Sequence, residues 1–268
     1  MKYMLLTTAA LLFCIAFGWL LTGFIFRKKK LKIFSRLVSS IVVSFLLIIS
    51  ISLAYLSRYY HADSKEMELD EHVHTEKIDG GYYVNGPGND TALIFYPGAK
   101  IEAISYLPLM TTLADRGVDC FLADMPFRMA FLKADQGEKF MKNYSYEHWA
   151  VAGHSMGGVV VSSFASDHVD EIETVFLLAS YPNKDLEDSL SLYSIYGSED
   201  GCLGKDAYEG AKKNWPDDSH EFVLEGGNHA QYGNYGNQAG DGEASMSREE
   251  QQERTAEIIL EALKKLEQ

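Results

Sequence analysis

The sequence predicts an α/β domain, a mostly parallel sheet with helices on both faces, preceded by an N-terminal hairpin of two transmembrane helices. Three observations predict it. Two stretches near the front, residues 4–26 and 37–57, contain no charged side chain. Beyond residue 77, short apolar runs of strand length alternate with segments whose apolar residues recur at helical spacing. Finally, one strand-like run passes into one helix-like run through Gly153-His154-Ser155-Met156-Gly157-Gly158, a serine with glycines two positions to either side.

At about 1.5 Å per helical residue the two uncharged stretches extend roughly 34 and 32 Å, enough for a bilayer core of about 30 Å. Between them stand Arg27, Lys28, Lys29, Lys30, Lys32 and Arg36 with no acid. The positive-inside rule puts that loop, residues 27–36, in the cytoplasm. Everything after Tyr60 is then extracytoplasmic, on a two-span membrane anchor. A secretory signal is the competing reading of the first stretch. Its uncharged run is too long for one, and no A-x-A site precedes the basic cluster.

Charge divides the chain at the same point. Residues 1–60 hold eight of the 24 Lys and Arg and none of the 38 Asp and Glu. The remainder is strongly acidic and repels phosphate backbones, which argues against a nucleic-acid partner. Cys14, Cys120 and Cys202 form no disulfide framework, although a Cys120 to Cys202 bridge is open to an extracytoplasmic domain. No C-x-x-C pair or H-E-x-x-H run is present, so neither a metal nor a cofactor is expected.

The layout is therefore residues 1–60 for the anchor, 61–77 for a polar linker and 78–268 for the domain. Within the domain, strand 92–96 ends at Pro97-Gly98 and helix 101–116 follows. Strand 118–123 leads to helix 128–142, and strand 148–152 leads to the serine turn and its helix. Strands 173–178, 191–196 and 221–224 come next. The final helix, 247–266, opens with Ser247 and Glu250 at capping-box spacing. Strands alternating with helices at this interval imply a parallel sheet covered on both sides.

Such sheets carry their working residues on loops at the carboxyl ends of strands. Ser155 stands at one such end, in the G-x-S-x-G pattern of a nucleophile elbow. A hydroxyl near neutral pH needs an imidazole to accept its proton, and the imidazole needs a carboxylate to hold its tautomer. Strand 191–196 ends in Gly197-Ser198-Glu199-Asp200-Gly201, which offers Asp200, with Glu199 and Asp206 as competing acids. Strand 221–224 ends in Glu225-Gly226-Gly227-Asn228-His229, which offers His229. His154, beside the nucleophile, is expected to point away from the base. The oxyanion donors are expected to be the backbone N–H groups of Met156 and Ala99, with Gly98 permitting close approach. Lys100 either orients a substrate carboxylate or is solvated. In the glycine-rich stretch 231–243, Tyr232 and Tyr235 either form a substrate wall or belong to a mobile connection. A calcium loop at Asp241 and Glu243 lacks the regular oxygen spacing.

With these residues assembled, the chain resembles the α/β-hydrolase superfamily over about residues 78–268. It is most similar to the small lidless group that includes dienelactone hydrolase (carboxymethylenebutenolidase) relatives and the α/β-hydrolase fold-5 proteins. The pieces that carry the likeness are Tyr96-Pro97-Gly98-Ala99-Lys100, the elbow, Tyr196 to Gly201, and Gly226 to Gly233. The resemblance implies a Ser155, His229 and Asp200 triad and a serine hydrolase of carboxylesterase or lipase type. Dienelactone hydrolases use cysteine at the elbow, so their lactone substrate does not transfer. Only Tyr181 to Leu190 separates two strands between which larger relatives insert a cap. The site is therefore expected to be open, for a small-molecule, bulky or membrane-held acyl substrate. An acyltransferase would use the same residues, and a non-catalytic scaffold would need none of them. The sequence fixes no oligomeric state.

Overall fold

The computed structural model describes residues 2–25, 33–63, 73–87 and 90–266, which fall into two units, residues 1–58 and 59–268. The first unit is a pair of helices, α1 (Lys2–Ile25) and α2 (Ile33–Leu56). They cross at small residues: a Cβ on Gly18 would lie 2.2 Å from Ser44 Oγ, and that hydroxyl donates to the Cys14 carbonyl at 3.1 Å. Among the described residues one segment, Ile33–Leu56, is long and apolar enough to cross a membrane, while the apolar stretch Phe13–Ile25 is shorter. Arg27, Lys28, Lys29, Lys30 and Lys32 of the expected basic loop lie outside the described residues. Arg36, expected in that loop, is instead helical, because α2 begins three residues earlier.

The second unit is built on an eight-stranded sheet. In chain order its elements are β1 (His74–Ile78), β2 (Gly81–Asn85), β3 (Thr91–Tyr96), α3 (Leu107–Asp115), β4 (Asp119–Ala123), α4 (Gln136–Asn143), β5 (His148–His154), α5 (Met156–Asp167), β6 (Ile172–Leu178), β7 (Ser191–Gly197), α6 (Lys205–Ala211), β8 (Ser219–Leu224) and α7 (Arg248–Leu263). The strand order is β1-β2-β4-β3-β5-β6-β7-β8. From β4 to β8 every pairing is parallel, while β1 and β2 form an antiparallel edge. Chain progression reverses between β3 and β5, the switch point beside which such sheets open a cleft.

The central strands are apolar on both faces because both are covered. Leu93 and Phe95 of β3 face α3 and α7, packing with Met110, Leu113, Ile259 and Leu263. Ala92, Ile94 and Tyr96 face the other layer, with Phe140 of α4 and Val161 and Phe164 of α5. β1 has no such signature: its residues are mostly exposed, and it occupies positions expected in the linker. Residues 64–72 of that linker lie outside the described residues.

Three helices differ from expectation, α6 because none was expected between strands 191–196 and 221–224. Residues 103–106 form a 3-10 turn before α3, which starts with Pro108 in its first turn. The helix expected over 128–142 is broken. Phe127 and Arg128 adopt left-handed backbone, at φ 52° and 57°, a 3-10 turn covers Ala130–Lys133, and α4 starts only at Gln136. A tertiary bond holds this break, since Lys100 N–H donates to the Arg128 carbonyl at 2.8 Å. Ser247 caps α7 as expected, accepting from Glu250 N–H. Cys120 and Cys202 are both free thiols.

Candidate active site

Ser155 sits between β5 and α5 with φ 52° and ψ −123°, a conformation that costs of order 1–3 kcal/mol for a non-glycine residue. Its surroundings enforce the strain. Its N–H donates to the Leu178 carbonyl at 2.9 Å, and its own carbonyl accepts from Ser180 Oγ at 2.6 Å. The flanking glycines answer to close approach. A Cβ on Gly153 would stand 2.6 Å from the Gly157 carbonyl carbon, and one on Gly157 would stand 2.1 Å from the Tyr96 carbonyl oxygen. The elbow is thus pressed against the carboxyl end of β3. Met156 is the first residue of α5, so its N–H has no intrahelical acceptor and stands at the positive end of the helix dipole.

Asp200 and His229 converge from the ends of β7 and β8. His229 Nδ1 donates to Asp200 Oδ2 at 2.8 Å, with both side chains buried. The other carboxylate oxygen accepts from the N–H groups of Cys202 at 2.8 Å and Leu203 at 2.7 Å. The carboxylate is therefore satisfied on both oxygens, and it fixes the imidazole with its proton on Nδ1. His229 Nε2 has no hydrogen-bond partner among the described residues, so the Ser155 to His229 bond is not made. The two residues nevertheless line one cavity of about 310 Å³, together with Met156, Val159, Ala179 and Leu203. Among the described residues, no Asp, Glu, Lys or Arg lines it.

Asp241 holds the loops in register. Its Oδ1 accepts from the N–H groups of Gly201 at 3.1 Å and His229 at 3.1 Å, and its Oδ2 accepts from Ala230 N–H at 2.8 Å. One carboxylate thereby ties the loop that carries the acid to the loop that carries the histidine. Gly242 N–H adds a fourth bond, at 2.9 Å. Oxygens surrounded by donors in this way suit a positioning role, not the cation loop considered from the sequence. Nothing in the residue pattern announced that role, because 40 positions separate Gly201 from Asp241.

His154 is a correction. Its ring does not point away from the base but lies buried with its centroid 4.6 Å from that of His229. Its Nδ1 bonds Tyr106 Oη at 2.7 Å, and Tyr106 Oη accepts from Gly98 N–H at 3.1 Å. Burial, and next the proximity of His229, hold its pKa well below the usual histidine value. The Gly98 N–H is thus committed to Tyr106. The next N–H along that loop belongs to Ala99.

The remaining expected residues lie elsewhere. Tyr232 is fully buried, with its hydroxyl on the Ile195 carbonyl at 3.1 Å, and Tyr235 is buried against Tyr60 and Tyr106. Neither lines the cavity, because the loop folds its aromatic rings into the core. Lys100 does not line it either; its backbone is tied on both sides, accepting from Tyr60 N–H at 2.7 Å and donating to Arg128.

A parallel sheet with a strained serine turn and an Asp–His pair at its carboxyl edge defines a class. The chain belongs to the alpha/beta hydrolase family, whose sequence profile matches residues 92–253. No curated protein matches it. Among solved structures it is similar to a serine hydrolase involved in carbazole degradation, at 11% identity and TM-score 0.52, covering 72% of this chain and 99% of that one. It is also similar to an esterase of M. tuberculosis, at 11% identity and TM-score 0.52, covering 74% and 93%. Mouse alpha/beta hydrolase domain-containing protein 10 gives 9% identity and TM-score 0.51, over 72% and 99%. Likeness at these identities is likeness of fold.

Proposed function

We propose that this protein is a membrane-anchored serine hydrolase that cleaves a carboxylic ester or related acyl bond through an acyl-enzyme. The observation that carries the reading is the buried bond from His229 Nδ1 to Asp200, with Ser155 on the same cavity. In this reading His229 Nε2 takes the Ser155 proton as Oγ bonds the acyl carbon. That proton then passes to the departing alcohol as the ester bond breaks. Water, deprotonated by the same nitrogen, attacks next and releases the carboxylic acid with Ser155 restored. An uncommitted Nε2 is compatible with this, since catalytic hydrogen bonds often close only with substrate present. The N–H groups of Met156 and Ala99 would stabilise the oxyanion.

The anchor is proposed as both helices, α1 and α2, with the basic segment between them cytoplasmic and everything after Tyr60 outside. The apolar length of Ile33–Leu56 supports the second span. The close Gly18 to Ser44 crossing supports a hairpin, since small residues commonly mark helix contacts in membranes. The test of the hydrolase reading is Ser155→Ala. It should abolish labelling by a fluorophosphonate and lower kcat/KM for a simple ester by roughly 10³-fold or more. Labelling that survived would refute it.

A further inference from the structure

We propose that the loop Pro126–Lys133 is the domain's lipid-contacting surface, and that the enzyme draws its acyl substrate from the membrane. The proposal rests on the hydrolase and anchor reading above and adds to it a substrate class and a docking face. Among the described residues of the domain, four large apolar side chains stand exposed: Phe127, Phe131, Leu132 and Val223. Three of the four fall within six consecutive positions. Each is about half exposed, at 51%, 54% and 48%.

The loop is built to hold them out. Phe127 and Arg128 both occupy the left-handed region, where bulky residues are outliers, and Phe127 still presents its ring to solvent. In water, strain and exposure are both unfavourable. Buried Met129 and Ala130 anchor the loop from below, and backbone bonds from Arg128 to Met125 and from Met129 to Pro126 close it into tight turns. Two cations, Arg128 and Lys133, stand in the same eight residues of an otherwise acidic domain. Apolar rings flanked by basic side chains match a membrane interface, with the rings entering the headgroup region and the cations meeting lipid phosphates.

Exposed rings beside cations, on a loop pinned to the cleft, select the lipid surface as the occupant. Tyr60 N–H donates to the Lys100 carbonyl, Glu102 N–H donates to the Tyr60 carbonyl, and the Arg128 guanidinium lies 3.5 Å from the centre of the Tyr59 ring. Tyr59 and Tyr60 are therefore fixed to the loops at residues 100–102 and 128. The loop at residue 128 bonds Lys100, next to Ala99 of the proposed oxyanion hole. Docking here therefore sets the cleft beside the membrane.

The experiment uses the full chain reconstituted in phosphatidylcholine and phosphatidylglycerol vesicles. It compares hydrolysis of vesicle-embedded diacylglycerol with that of water-soluble p-nitrophenyl acetate. The triple variant Phe127→Ser, Phe131→Ser, Leu132→Ser should lose about tenfold or more on diacylglycerol while changing by less than about twofold on the soluble ester. Equal losses, no loss, or a wild type inactive on diacylglycerol would overturn the proposal. Ser155→Ala run in parallel should be inactive on both. If it is not, the hydrolase reading fails on its own account. Phe131→Trp gives a second readout: brominated lipids should quench it beyond the wild-type protein. Absence of added quenching, or a change that follows protein concentration instead of bromination because a second copy covers the loop, would overturn the docking face.

Discussion

Asp241 accepts four backbone N–H groups, two of them on His229 and Ala230, without lining the cavity. In Asp241→Asn one oxygen becomes an amide that cannot accept, which should cost about 1.5–3 kcal/mol in stability. Misplacing His229 slightly should lower kcat by about 10- to 100-fold with KM little changed, and steady-state kinetics beside thermal melts would check both. His154 makes a pH prediction. Its folded pKa is depressed, so the unfolded chain takes up the proton first as pH falls. The stability it contributes is complete above about pH 6.5 and declines below it. The stability advantage of the wild type over His154→Asn should therefore shrink between pH 7 and 5, as read by denaturation in detergent. At this scale the positions of Ser155, Asp200 and His229 beyond strand ends were legible because each follows a strand pattern that predicts where it emerges. Asp241 and Tyr106 were not, because their roles arise from contacts between loops distant in sequence. Tyr232 misled for a related reason: an aromatic in a glycine-rich stretch reads as surface until the fold turns it inward.

Elements follow their sequence where burial dictates them. β3, β5 and β6 each carry an apolar run buried on both faces and were legible to within two residues at either end. The pair β1 and β2 was not, since an edge strand such as His74–Ile78 carries no apolar alternation and is defined by its partner. The broken segment 126–135 shows the opposite failure. Its residues permit a helix, but its bond to Lys100 prevents one. The elbow can be tested as an element. Gly157→Ala would put a methyl 2.1 Å from a backbone oxygen that no side-chain motion relieves, and should cost about 3 kcal/mol while reducing fluorophosphonate labelling. Ser247→Ala removes the cap of α7 and should cost about 1 kcal/mol without altering kcat. Melting curves taken alongside turnover separate the two.

For the whole molecule, the anchor predicts that alkaline carbonate leaves the chain in the membrane fraction, whereas a peripheral protein would be released. Topology has a built-in probe. Cys202 is partly exposed, whereas Cys120 is fully buried. A membrane-impermeant maleimide applied to intact cells should modify Cys202 if the domain is outside. Burial raises that thiol's pKa, so the labelling is best run at mildly alkaline pH. Blocking by an agent confined to the cytoplasm would reverse the assignment. Between β6 and β7 the chain spends only residues 179–190, with no helix among them, and nothing in that interval can fold over the cleft. In the hydrolase reading this interval supplies no shutter for catalysis to open. Velocity on esters kept below their micelle-forming concentration should therefore reach its steady value without a lag and follow a simple saturation curve.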